Sequence, residues 1–200
     1  MAKKETVQKV VESLAAKRVE VFVVENGSLA LKKIKELIPQ GASIMNGASV
    51  TLEQIGFVDY LKSGEHGWNN LHEGILAEKD PDKQKLLRNQ AVLSDYYLGS
   101  VHALIETGEF VIASNTGSQL PHIVFTSPNL IFVVSTKKIV PSLPEAMKRL
   151  MEYVVPLEDK RMREKYGVGT APNKILTFNG ESSSSKRNIK MILVNEDLGF

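Results

Sequence analysis

The sequence predicts an α/β fold with a largely parallel sheet and helices on both faces. Short β-rich runs alternate with apolar residues at helical spacing through the first third of the chain. Short apolar runs separated by turn residues dominate the second half. Hydrophobic residues make up 42% of the 200, enough to bury a core. In open α/β sheets ligands sit beyond the carboxyl ends of the strands, so the loops leaving the strands are where a site is expected.

The elements follow in order. Val7, Val10, Val11 and Leu14 share a helix face, and Val19–Val24 reads as a strand. Asn26-Gly27-Ser28 is a turn with a capping candidate; Ala30, Leu31, Ile34, Leu37 and Ile38 stripe the next helix. Ala42–Met45 is a strand and Asn46-Gly47-Ala48-Ser49 a turn. Leu52, Ile55, Val58 and Leu61 then mark one helix, with Thr51 and Gln54 at capping-box spacing. Residues 64–79 read as a loop with one helical turn at most. Asp80-Pro81 starts a long helix whose inner face runs from Leu86 to Tyr97 and Leu98. Val101–Glu106 and Phe110–Ala113 flank a hairpin-like break, and His122–Phe125 and Leu130–Ser135 read as strands. Ser142 and Glu145 form a second capping box ahead of Ala146, Met147, Leu150 and Met151. A charged helix covers 157–166, and Lys174–Phe178 with Lys190–Val194 reads as a closing strand pair around four serines. No linker divides the chain, so one domain over residues 1–200 is expected.

Composition excludes several functions. The net charge of +2 is too even for a nucleic-acid groove or a membrane-surface helix. With no cysteine, the chain holds no thiolate metal site or cysteine-bound cluster. No apolar run approaches the roughly 20 residues of a spanning helix, and no signal peptide is read. The expectation is a cytoplasmic protein without nucleic-acid or membrane partners, and without a metal or cofactor of its own. His66 and His72 lie too far apart for a helical metal pair.

Four places could carry chemistry. Asn46, Gly47, Ser49 and Thr51 join a strand to a helix, where amides and hydroxyls suit an anion; a plain capped turn is the alternative. Asn115, Thr116, Gly117 and Ser118, followed by Gln119, form a small polar loop after a strand, either a ligand contact or an ordinary turn. Glu106 ends an apolar strand, where partial burial would make it a base or nucleophile, or it faces solvent. Lys137-Lys138 follows the strand 130–135 and could pair with a substrate anion through Lys138, or is an exposed, solvated pair. Because each ends or follows a strand, the loop 46–51, Glu106 and the loop 115–119 are expected to meet around one pocket.

Asp95-Tyr96-Tyr97-Leu98-Gly99-Ser100-Val101-His102-Ala103 running into Glu106-Thr107-Gly108-Glu109 resembles a pattern of the lactate-utilisation (LUD) domain family. The polar loop 115–119, Ser127-Pro128, the strand Ile131–Val134, Lys138-Ile139-Val140 and a helix with Ala146 and Arg149 follow in the family's order. His102 stands where the family usually has Asn, Gln119 where an Arg is usual, and Ser135-Thr136-Lys137-Lys138 replaces the usual turn. The resemblance implies a fold like that of glucosamine-phosphate deaminase, ribose-phosphate isomerase and CoA transferase. It also implies a role in oxidising L-lactate to pyruvate, with iron–sulfur partner subunits and a small anionic carboxylate or phosphate as ligand. A stand-alone enzyme of the CoA-transferase or isomerase type, using Glu106, is the alternative; a homo-oligomer is compatible with both.

Overall fold

The computed structural model describes all 200 residues, Met1–Phe200. Its centre is a six-stranded sheet ordered β1 (Val19–Val24), β10 (Asn188–Val194), β7 (Asn129–Ser135), β4 (Tyr96–Gly99), β2 (Ser43–Asn46) and β3 (Asn69–Asn70). Every pairing in it is parallel. Side chains alternate between faces along a strand, so a strand covered on both sides is apolar throughout. In β7, Leu130, Phe132 and Val134 enter one core and Ile131 and Val133 the other.

A second, four-stranded sheet packs beside the first: β8 (Ile139–Val140), β5 (Ala103–Ile105), β6 (Phe110–Ser114) and β9 (Lys174–Phe178). Its β6 is antiparallel to both β5 and β9. Leu104, Phe110 and Ile112 share a core with Val10 and Leu14 of α1 (Lys4–Ala16). Ala103, Ile105 and Val111 face the other way. They lie under α7 (Leu143–Arg149) and the π-helical turn Leu150–Val154, which leads into α8 (Val155–Tyr166). The opposite face of the large sheet is covered by α2 (Gly27–Leu37), α3 (Val50–Gln54) and α4 (Phe57–Ser63). Two further helices, α5 (Leu71–Ala77) and α6 (Pro81–Gln90), connect β3 to β4.

Several local expectations are corrected. The single helix over 52–61 is two, because Gly56 adopts φ +79° between them. The helix from Asp80 ends at Gln90, and Tyr97 and Leu98 lie in β4, where an apolar pair is buried on both faces. His122–Phe125 belongs to a π-helical turn, entered through Pro121 at φ −55°, ψ −43°. Residues 64–79 contain β3 and α5. Strands β9 and β10 do not pair: β9 joins β6, while β10 inserts between β1 and β7. Ser142 stands at the N-cap of α7 but makes no side-chain cap hydrogen bond, so the second capping box does not form.

Two parts of the Asp95–Glu109 stretch prove to be structural. Asp95 Oδ2 accepts from the Ser43 amide and hydroxyl at 2.9 and 2.6 Å. Its backbone oxygen accepts from Asn129, so Asp95 staples β2, β4 and β7 at their amino ends. The Ser43 hydrogen bonds hold its carboxyl below the usual range. Further on, the β5–β6 turn is docked on α1. Lys9 Nζ meets Glu106 at 2.8 Å and Lys17 Nζ meets Glu109 at 2.8 Å. Between them Gly108 has φ +92°, and a Cβ there would lie 3.0 Å from the Ser13 backbone. Gly108→Val is therefore expected to destabilise the protein by about 1–3 kcal/mol in urea denaturation. Glu106→Gln, which loses only a half-exposed ion pair, should change it by less than about 1 kcal/mol.

Candidate functional site

The carboxyl ends of β2, β4 and β7 converge on Lys138. After β7 the chain makes a tight turn, Thr136–Lys138, capped by the Ser135 hydroxyl, which accepts from the Lys137 amide at 3.3 Å. The turn sends the Lys138 side chain inward, where it is only 4% exposed. Its ammonium donates to Thr51 Oγ1 at 3.1 Å, Ser100 Oγ at 3.1 Å and the Val101 carbonyl at 3.2 Å. All three partners are neutral. Burial lowers the Lys138 pKa from 10.5 to about 7, and the charges of Arg149 and Lys137 push it the same way.

Arg149, at the end of α7, is the second cation. Its Nε and one terminal nitrogen are buried without a hydrogen-bond partner. The guanidinium carbon lies 4.9 Å from the centre of the Tyr153 ring. Burial lowers its pKa, and Tyr153 and the exposed Asp197 partly offset this. A π-helical turn begins at the next residue, an irregularity that often marks functional sites. His102 is also close enough to feel both cations. Its Nδ1 accepts from the Ala113 amide at 3.1 Å, so the proton of the neutral ring is on Nε2. Burial, then Lys138 and Arg149, lower its pKa to about 4. No hydrogen bond or ion pair joins Lys138 or Arg149 to a carboxylate.

The segment after β10 lies over this cluster. Ser135 Oγ donates to the Glu196 carbonyl, Lys137 pairs with Asp197, and the Gly199 amide donates to Gln54 Oε1 at 2.6 Å. A Cβ on Gly199 would fall 2.3 Å from Thr51 Oγ1 and 2.8 Å from Lys138 Nζ, at φ +68°, so glycine is required there.

The expected site residues separate into groups. Thr51 and Lys138 are in contact. Asn46 ends β2 with its Oδ1 buried and unpartnered. A Cβ on Gly47 would lie 2.4 Å from the Tyr97 hydroxyl and 2.9 Å from Gln119 Oε1. That hydroxyl donates to Gln119 Oε1 at 3.2 Å, so Gln119 brings the loop 115–119 to the loop 46–51. Ser49 is committed as the cap of α3, accepting from Leu52. With five residues, α3 is too short to make the loop 46–51 a helix-terminus anion site.

Asn115, Thr116, Gly117 and Ser118 turn toward β9. Asn115 Oδ1 accepts from Asn173 at 2.6 Å, Thr116 and Ser118 bond each other, and a Cβ on Gly117 would strike Lys174. Glu106 leaves β5 at one end of the antiparallel β5–β6 pair, and the loop 115–119 leaves β6 at the other. The pocket around Glu106 therefore does not form; its carboxylate belongs to Lys9 of α1. Ser100, His102 and Arg149 are site residues that the strand-end argument missed. An arginine between buried Ala146 and Leu150 was the visible signal for one of them.

Two other clusters lie elsewhere. Ser94, His122 and Ser127 form a buried trio before β4 and β7, with His122 Nδ1 2.9 Å from Ser127 Oγ. No carboxylate orients the ring, and burial lowers its pKa to about 4. His66 Nδ1 accepts from the Trp68 amide and its ring stacks on Trp68 at 5.4 Å, an arrangement of packing. No group of three His, Asp or Glu side chains is arranged to hold a metal ion.

The LUD-domain family profile matches residues 7–196. The chain belongs to the LUD-domain family. Its fold is similar to that of a DUF162 family protein from Deinococcus radiodurans, with a TM-score of 0.59 and 15% identity over 98% of this chain and 99% of that one. A ribose 5-phosphate isomerase A from Neisseria gonorrhoeae aligns with a TM-score of 0.39 and 13% identity over 78% of this chain and 76% of that one. No curated protein sequence matches. In this LUD domain two of the unusual residues have structural partners at the site: His102 beside the cations and Gln119 on the Tyr97 hydroxyl.

The pKa values fix the pH dependence of the LUD domain's stability. Between about pH 7 and 10.5 the unfolded state holds the Lys138 proton and the folded state does not, so stability rises with pH. Relative to Lys138→Met, the wild type should gain about 1–3 kcal/mol between pH 7 and pH 10 in urea denaturation. His102 and His122 act in a lower window: stability falls as pH drops from 6.5 toward 4, where the unfolded state takes up protons first.

Proposed function

We propose that this LUD-domain protein binds a small anionic metabolite, a carboxylate or phosphate, against Lys138 and Arg149. In this reading it serves a cytoplasmic L-lactate utilisation system and carries no redox cofactor itself, leaving electron transfer to iron–sulfur partner subunits. One observation carries the binding site. Two cations act on each other here: buried Lys138 is bonded only to neutral oxygens, and half-buried Arg149 has two buried nitrogens unpartnered. Buried charge without a counter-charge is unfavourable, and an anion accepting from Arg149 relieves it. The lactate role rests on the family resemblance. The alternative, an enzyme of the CoA-transferase or isomerase type built on Glu106, loses support because that carboxylate is paired with Lys9.

Thermal unfolding in rising L-lactate, pyruvate or inorganic phosphate tests the site. A bound anion raises the melting temperature with the logarithm of its concentration. Arg149→Met is expected to weaken binding about 10- to 100-fold, the worth of a charge-assisted hydrogen bond. Glu106→Gln is expected to leave it unchanged. Absence of a shift with all three anions, or a shift that Arg149→Met leaves intact, overturns the proposal.

A further inference from the structure

We propose that the Lys138 side chain is a reactive amine that condenses with the carbonyl of a 2-oxo acid whose carboxylate is held by Arg149. The inference rests on the anion-site reading above and adds covalent chemistry to it.

The surroundings of the amine carry the argument. A lysine kept for structure is normally held as an ammonium by a carboxylate, which has no hydrogen to return. Lys138 has none. Two of its three partners are hydroxyls, Thr51 and Ser100. A hydroxyl accepts from an ammonium, and by rotating it donates to the lone pair of a free amine. The same shell therefore satisfies both protonation states. Burial among like charges favours the neutral, nucleophilic one and lowers the pKa to about 7. The neighbouring guanidinium has two free buried nitrogens, a fork suited to a carboxylate. An amine for a carbonyl and a fork for a carboxylate together describe a 2-oxo acid.

The step balances without an oxidant. The free amine nitrogen adds to the carbonyl carbon, forming a C–N bond as the C–O π bond breaks. The carbonyl oxygen leaves as water, carrying the two hydrogens of the amine, and a C=N bond remains. The strap of residues 195–200 covers the amine through Gly199, so entry requires that strap to lift. Its fastenings at Lys137–Asp197 and Gly199–Gln54 are exposed polar contacts, while the Ser135–Glu196 and Gly27–Glu196 bonds are part-buried and Leu198 is buried in the core.

The test uses the full chain with pyruvate and cyanoborohydride at neutral pH, which reduces an imine to a stable secondary amine. Mass spectrometry of the intact protein, then of its peptides, is expected to show one carboxyethyl group, on Lys138 and not on Lys137. Arg149→Met should reduce this adduct about 10- to 100-fold, while modification by a carboxylate-free aldehyde stays the same. If pyruvate and phosphate shift the melting temperature but Lys138 remains unmodified, or exposed lysines react equally, the covalent proposal is overturned and the anion site stands. If no anion shifts melting and no adduct forms, both fail. A pyruvate adduct insensitive to Arg149→Met overturns the carboxylate assignment.

Discussion

An ammonium group taken out of water normally finds a carboxylate. Lys138 instead bonds Thr51, Ser100 and the Val101 carbonyl, and through them ties together the segments that follow β2 and β4 with its own segment after β7. The carboxyl edge of the large sheet is organised around this group. The tight turn Thr136–Lys138 aims it inward, Gly199 leaves room beside it, and Arg149 and His102 lie within reach of its charge. Removing a charge from water without an opposite charge beside it is costly, and here it lowers the Lys138 pKa to about 7, which sets this edge apart.

The opposite edge shows the contrast. There Asp95 is satisfied by Ser43, and buried Arg187 is engaged by Glu181 and by the carbonyls of His122, Ile123 and Ser127. The charged side chains Asp95 and Arg187 have partners at the amino edge, whereas Lys138 and Arg149 have no carboxylate at the carboxyl edge. The segments that carry the LUD resemblance contain both kinds of residue. Asp95 and the turn Glu106–Glu109 hold elements together, while Lys138 and Arg149 supply the unpaired charge.

Periodicity made much of the fold legible. Strands β1, β2, β6 and β7 are short β-rich runs bounded by turn residues, and the parallel β7, buried on both faces, is apolar from Leu130 to Val134. The errors have common physical causes. β4 was hidden because Tyr97 and Leu98 continue the spacing of the preceding helix, and only tertiary burial distinguishes the two. β9 and β10 are neighbours in sequence but belong to different sheets, a matter of topology that local pattern does not encode. At the site, Lys138 and Thr51 could be placed from strand ends. Glu106 was misplaced because a strand in the second sheet runs antiparallel to its partner, so its ends do not converge with those of the large sheet. Arg149 comes from a helix, outside the strand-end rule.

The position of β10 has a consequence for how the chain reaches its native state. This strand is the last in chain order, yet it lies between β1 and β7 and registers Val19 against Ile189. Until it arrives, β1 and β7 each present an unpaired edge, the kind of surface that recruits other chains. Contacts separated by about 170 residues must close before the sheet is continuous, as with Glu20 and Lys190. Such non-local closure is slow relative to helix formation, and the two edges stay open to intermolecular pairing during that interval.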